Sequence, residues 1–221
     1  AVKENPHNYR GLDPGFREMY SSPRARIATA DELVRSMNDA GIQTAVVCAF
    51  GWASRELCAR HNDAIIDAVQ RYPERLIGFF AVYPGDQRAA LHEIDRCVEA
   101  GLKGVGELRP DNQGWDLTAG RKTGYLVEAF QERGLPLLMH TSEPVGHTYP
   151  GKGRETPDRL EKFIQLHPHL TLVLAHWGGG LPFYALMPEV REALAQVYVD
   201  TAASPYLYSS QVYRMVAQIL G

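Results

Sequence analysis

The sequence predicts an α/β fold built on a parallel sheet. Two signals alternate from residue 29 onward. Short apolar runs, β-branched or aromatic and bounded by Gly or Pro, read as strands buried on both faces. Between them lie stretches whose apolar residues recur at three- and four-residue steps, each a one-sided helix able to cover a sheet. The alternation repeats about every 30 residues, the span of a βαβ unit with a right-handed crossover. A (β/α) barrel and an open doubly wound sheet both satisfy this pattern.

The elements follow in order. Residues 1–28 are polar, proline-bearing and unperiodic. So long a structureless opening is unusual inside a compact domain. It is expected to be a frayed tail or a loop over the site, with the (β/α) domain in residues 29–221. Ala30–Ala40 is the first helix, with Leu33, Val34 and Met37 on one face and Asp31 placed to suit the helix dipole. Strand Ile42–Phe50 and helix Arg55–Tyr72 follow, the helix with its stripe of Leu57, Ile65, Ala68, Val69 and Tyr72. Strand Leu76–Pro84 precedes helix Arg88–Ala100, and strand Leu102–Pro110 precedes helix Thr123–Arg133. Strand Pro136–Pro144 leads to helix Thr156–His167, and strand Thr171–Gly179 to helix Leu181–Leu194, which Pro188 is expected to kink or break. Strand Val197–Ser204 and helix Tyr208–Leu220 complete six strands and seven helices. Gly41, Gly101 and Gly134 sit where three helices must stop before a strand.

Composition narrows the function. A chain of 221 residues is long enough to bury a core without staples. With 23 basic against 26 acidic residues, it has no cationic excess to hold a nucleic acid backbone. No apolar run reaches the roughly 18–20 residues that span a bilayer, and the start has no signal-peptide core. Cys48, Cys58 and Cys97 lack C-x-x-C spacing and sit in apolar or helical contexts, so buried reduced thiols and a cytoplasmic location are expected.

The chemistry lies at the strand ends, because parallel α/β folds assemble their sites there from several strands at once. Four apolar runs stop on a polar residue: Glu107, His140, His176 and Asp200. His and carboxylate are metal ligands, and hydrolytic metals keep a position open for water. The pair His140 and His176 carries the functional expectation. Glu107 is either a ligand or the ion-pair partner of Arg109, and Asp200 followed by Thr201 suits a local turn cap. Arg109 could clamp a substrate carboxylate or pair with Glu107 or Asp111. His147, in the segment after the His140 strand, is a substrate-contact candidate. Trp177 is another, in the run Trp177-Gly178-Gly179-Gly180, whose glycines suit a tight turn better than an anion nest. His61 and His92 read as surface or edge residues of helices. His167 and His169 fall in a turn at the opposite face, and His7 lies in the opening. No nucleotide-binding glycine motif or G-x-S-x-G elbow is present.

These residues resemble the amidohydrolase-related family of metal-dependent TIM barrels, hydrolases and nonoxidative decarboxylases. The resemblance is carried by DELVRSMNDAGIQTAVV (31–47), YPERLIGFF (72–80), GLKGVGE (101–107), GLPLLMH (134–140) and LVLAHWGGGLP (172–182). It implies a (β/α)8 TIM barrel with His140 as a metal ligand at the fifth strand. It implies His176 at the sixth as a ligand or acid/base, and Glu107 at the fourth where two-metal relatives place a bridging ligand. The family's opening His-x-His does not precede the first helix, and the chain ends at Gly221, where an eighth strand bearing an Asp would begin. The chain is therefore expected to hold strands two to seven and to lack the first and eighth, since such a barrel takes about 250 residues.

The leading expectation is a metal-dependent hydrolase of amide or lactone bonds in a small molecule. In it a divalent ion, zinc foremost, is held by His140 and Glu107, with His176 catalytic. A nonoxidative decarboxylase of a small aromatic acid is the alternative, and a catalytically inactive truncated barrel a third. A small molecule is the expected partner, with no nucleic acid or membrane, and a homodimer is compatible.

Overall fold

The structure, a computed structural model, describes residues 6–22, 25–118 and 124–221. Six strands lie in one sheet: β1 (Ala45–Cys48), β2 (Leu76–Phe80), β3 (Gly104–Leu108), β4 (Leu137–Met139), β5 (Leu172–Leu174) and β6 (Val197–Val199). All neighbours are parallel, and the order across the sheet is the order along the chain. A doubly wound sheet reverses its order partway, which places helices on both faces. An unreversed order with right-handed crossovers keeps every helix on one face, so the sheet is of the (β/α) barrel type. Among the described residues, β1 and β6 each have a strand on one side only.

The helices are α1 (Pro6–Leu12), α2 (Pro14–Met19), α3 (Ala30–Asp39), α4 (Arg55–Arg71), α5 (Gln87–Glu99), α6 (Pro110–Gln113), α7 (Gly124–Glu132), α8 (Pro157–Leu166), α9 (Pro188–Ala193), α10 (Ser204–Leu207) and α11 (Gln211–Leu220). Local chemistry sets their starts. Thr29 and Glu32 form a reciprocal capping box on α3, and Asp86 accepts from Ala89 N to open α5. Gly41, Gly101 and Gly134 take positive φ at three helix ends, as their positions predict.

The largest buried side chains, among them Phe80, Phe130, Phe163 and Leu137, pack between sheet and helices. Each contributes roughly 1.5–3 kcal/mol by burial. The fully buried Asn62 ties α4 to the end of β2, donating to Ala81 O at 2.8 Å and accepting from Ala81 N at 2.9 Å. Val46, Ile77 and Tyr198 alternate with inward neighbours and are exposed.

Two expectations change, and a third falls outside the described residues. The opening is not structureless: Asp13 caps α2 by accepting from Phe16 N, and Pro14 holds the first helical position. The stretch expected as one helix over Leu181–Leu194 is tight 3₁₀ turns to Leu186 and then α9, broken at Pro188 as expected, with the proline opening the second piece. The Thr123 start of one expected helix lies outside the described residues, and the helix runs from Gly124.

Candidate metal centre

Three strand ends converge. Glu107 (β3), His140 (directly after β4) and His176 (after β5) bring one ligand atom each within 4.8 Å of one another. Glu107 arrives by a register shift. Val105 pairs with Leu137 and Leu108 with Met139, so β3 carries one extra residue against β4. Such a bulge re-aims a side chain. Gly106 permits it, with φ 130°, and a Cβ there would sit 2.3 Å from Leu138 O.

Backbone carbonyls orient both imidazoles. His140 is 3% exposed, and its Nε2 faces Gly151 O at 3.0 Å. Carbonyl and carboxylate oxygens only accept, so Nε2 donates to Gly151 O and Nδ1 donates to Glu107 Oε1 at 2.8 Å, and a bound ion would take the place of the Nδ1 proton. His176 Nδ1 donates to Ala202 O at 3.3 Å, which leaves Nε2 toward Glu107 Oε1 at 3.7 Å. This fixing of one ring nitrogen by a carbonyl is what a metal-ligating histidine needs. Two imidazole nitrogens and a carboxylate oxygen, converging in this way, fit a divalent transition ion.

His176 is held by an unusual backbone. His176 through Gly180 all have positive φ, a left-handed turn that includes two non-glycine residues. Asp200 anchors it: Oδ1 accepts from His176 N at 2.8 Å and Ala202 N at 2.9 Å, and Asp200 O accepts from Trp177 N at 3.1 Å. Asp200 is thus a turn cap. Gly179 lies against Ser142, where a Cβ would come 2.3 Å from Ser142 O.

The electrostatics follow. Burial alone would raise the Glu107 carboxyl, but hydrogen bonds and charge from both histidines outweigh it and hold the group well below the carboxylate range. Burial opposes protonation of His176, but Glu107 beside it outweighs burial and raises its pKa. Cys48 is pushed up to about 12 by burial, with Glu107 and Asp200 adding to the shift, so it stays a thiol.

Arg109 lies beside the triad, 7% exposed. It does not pair with Glu107 or Asp111. Its Nη2 donates to Gly151 O at 2.8 Å, its guanidinium stacks 5.6 Å from the Phe50 ring, and its Nε is buried without a partner. A cavity of about 640 Å³ opens here, lined by Glu107, Arg109, Met19, Tyr20, Phe50 and His61 among others. The structure does not bring the other two candidates to it. His147 is exposed on its loop, its ring against Tyr149. Trp177 is 4% exposed, its indole donates to Ser204 Oγ at 2.8 Å, and it packs with Val212 and Val216. The left-handed turn points it away from the mouth.

Sequence reasoning missed His61, Gln113 and Gly151. His61 is half-buried at the edge of its helix, where it lines the cavity and accepts from Phe50 N and the Trp52 indole. Its neighbours on the helix gave no sign of these partners.

A singly wound α/β barrel sheet with a histidine–carboxylate cluster at its strand ends defines the class of protein. The family model for amidohydrolases matches residues 7–221, and the chain belongs to that family. A γ-resorcylate decarboxylase of Polaromonas sp. strain JS666 is 26% identical over 188 residues, covering 69% of this chain. The chain spans 57% of that relative's length. Two solved structures share the fold. A dihydroxybenzoic acid decarboxylase of the same bacterium, with bound manganese and 2-nitroresorcinol, matches with TM-score 0.70 at 21% identity, covering 99% of this chain and 80% of that one. A 5-carboxyvanillate decarboxylase of Novosphingobium aromaticivorans, also with manganese, matches with TM-score 0.70 at 20% identity, covering 99% and 78%.

Proposed function

We propose that this chain serves metal-assisted, nonoxidative decarboxylation of a small hydroxylated aromatic acid. One observation carries the reading. A buried guanidinium with an unpartnered Nε stands beside the histidine–carboxylate cluster, in a cavity walled by Phe50 and Tyr20. That is a carboxylate clamp next to an aromatic slot. The relatives named as decarboxylases of aromatic acids support it over amide or lactone hydrolysis.

His140 and Glu107 would hold the ion, which supplies positive charge to bind and polarise the acid. The manganese bound in two structural relatives makes manganese a candidate beside zinc. Arg109 orients the carboxylate. As the carbon–carbon bond breaks, its electron pair stays on the ring carbon and carbon dioxide leaves. His176, whose Nε2 faces Glu107 Oε1 at 3.7 Å, stands beside the ion rather than ligating it, and delivers a proton to that carbon. Helices α1 and α2 form a cover, since Tyr9 of α1 and Phe16 and Met19 of α2 line the cavity. Among the described residues, no helix is long and apolar enough to cross a membrane.

The test is carbon dioxide release from 2,6-dihydroxybenzoate and other aromatic acids, with manganese or zinc added and with chelator. Metal-dependent release is expected. Hydrolysis of lactone or amide substrates without carbon dioxide release would overturn the reading. A folded protein that binds no metal would favour the inactive barrel.

A further inference from the structure

We propose that His61 is a positioning residue: it seats the Arg109 guanidinium through residues 50–52. The inference rests on the reading of Arg109 as the carboxylate clamp.

His61 lies in α4, away from the triad. Its Nδ1 accepts twice, from Phe50 N at 3.1 Å and from Trp52 Nε1 at 3.0 Å. A ring nitrogen that accepts carries no proton, so His61 is a neutral imidazole with its proton on Nε2. Burial favours the same state, pushing the group down to about 4. The double contact fixes both ends of the segment Phe50-Gly51-Trp52.

Each residue of that segment touches Arg109 or its support. The Phe50 ring lies under the guanidinium at 5.6 Å. Gly51 backs onto the Arg109 amide so closely that a Cβ would sit 2.6 Å from Arg109 N. Trp52 O accepts from Gln113 Nε2 at 3.2 Å, and Gln113 Oε1 accepts from Arg109 N at 3.1 Å. A continuous path of hydrogen bonds therefore runs from His61 through Trp52 and Gln113 to the Arg109 backbone, and a stacked ring places its side chain. Sliding the 50–52 segment would move the clamp without touching Glu107, His140 or His176.

The test compares His61→Phe, His61→Gln and Arg109→Ala with the parent protein. The probes are 2,6-dihydroxybenzoate and resorcinol, which lacks the carboxylate, with binding measured by calorimetry on metal-loaded protein. His61→Phe is expected to weaken 2,6-dihydroxybenzoate binding about tenfold and resorcinol less than about twofold, with metal content unchanged. His61→Gln, which restores an acceptor, should recover most of the loss. Added to Arg109→Ala, the His61→Phe change should cost no further affinity for the acid. If Arg109→Ala alone leaves acid binding unchanged, the clamp reading fails. If Arg109→Ala weakens it and His61→Phe does not, this inference fails and the clamp stands. Nitrogen-edited NMR gives a ligand-free readout. The Trp52 indole and Arg109 Nε–H signals should both shift in His61→Phe and return in His61→Gln. An unmoved Arg109 signal overturns the inference whatever the ligand does. Should His61→Phe fail to fold, the parent protein decides: His61 protonated on Nδ1 would refute the arrangement.

Discussion

Gly179 shows how one residue holds the centre in place. Its φ is +59°, and a Cβ there would meet Ser142 O at 2.3 Å, whereas at Gly178 the nearest atom lies 3.3 Å away. Gly179→Ala should therefore cost about 3 kcal/mol or more, from strain and overlap together. Gly178→Ala should cost less, and paired urea unfolding curves measure the difference. His61 gives the second prediction at this scale. Its pKa falls from 6.5 to about 4 on folding, so the unfolded chain binds the proton more readily. The neutral ring's contribution is full above pH 6.5 and is lost as pH falls toward 4, about 3 kcal/mol in all. The His61→Phe protein should be less stable at pH 7, yet lose less stability across that interval. What was legible at this scale followed one rule. His140, His176 and Glu107 each end an apolar run, so the sequence alone singles them out. His61 hides in an amphipathic helix, and its partners are eleven and nine residues away across a turn. Trp177 looked like a mouth residue because local sequence does not reveal that the chain turns left-handed at His176.

At the scale of elements, a buried carboxylate is among the groups that couple the opening helices to the domain. Asp13 is 1% exposed, caps α2 through Phe16 N and accepts from Ala53 N at 2.9 Å. Asp13→Ala should remove about 1–2 kcal/mol and loosen α2. Limited proteolysis should then cut within residues 6–22 before it cuts the sheet. An unchanged cleavage pattern would show that the aromatic packing of Phe16 suffices. The sequence did contain the cue, an Asp followed by Pro at a helix start. The helices are only seven and six residues long, too short for periodicity to show. Longer helices were read within a few residues of their ends because caps and glycines bound them. The bulge in β3 was invisible, since an extra residue changes pairing and not composition.

At the scale of the whole molecule, ligand linkage gives a direct test of the centre. An ion that binds only the folded chain stabilises it by about 2.7 kcal/mol at a hundred times its Kd. For a chain of this size that raises Tm by roughly 5–10 °C. Manganese or zinc should produce such a rise, chelator should reverse it, and His140→Ala should abolish it. The parallel α/β class was readable because each local segment announced its own type. The local alternation left barrel and doubly wound sheet open, because they differ only in strand order, and it was the resemblance to the amidohydrolase-related family that pointed to the barrel.

That order bears on how the chain assembles. Among the described residues each strand pairs only with its neighbours in sequence, and the paired residues Ala45–Leu76, Phe79–Gly104, Val105–Leu137, Leu137–Leu172 and Leu172–Val197 are 31, 25, 32, 35 and 25 positions apart. Closing the longest of these loops costs only about 0.3 kcal/mol more entropy than closing the shortest. Topology therefore names no nucleus. As in a solenoid, growth can begin at whichever unit packs best and spread in both directions.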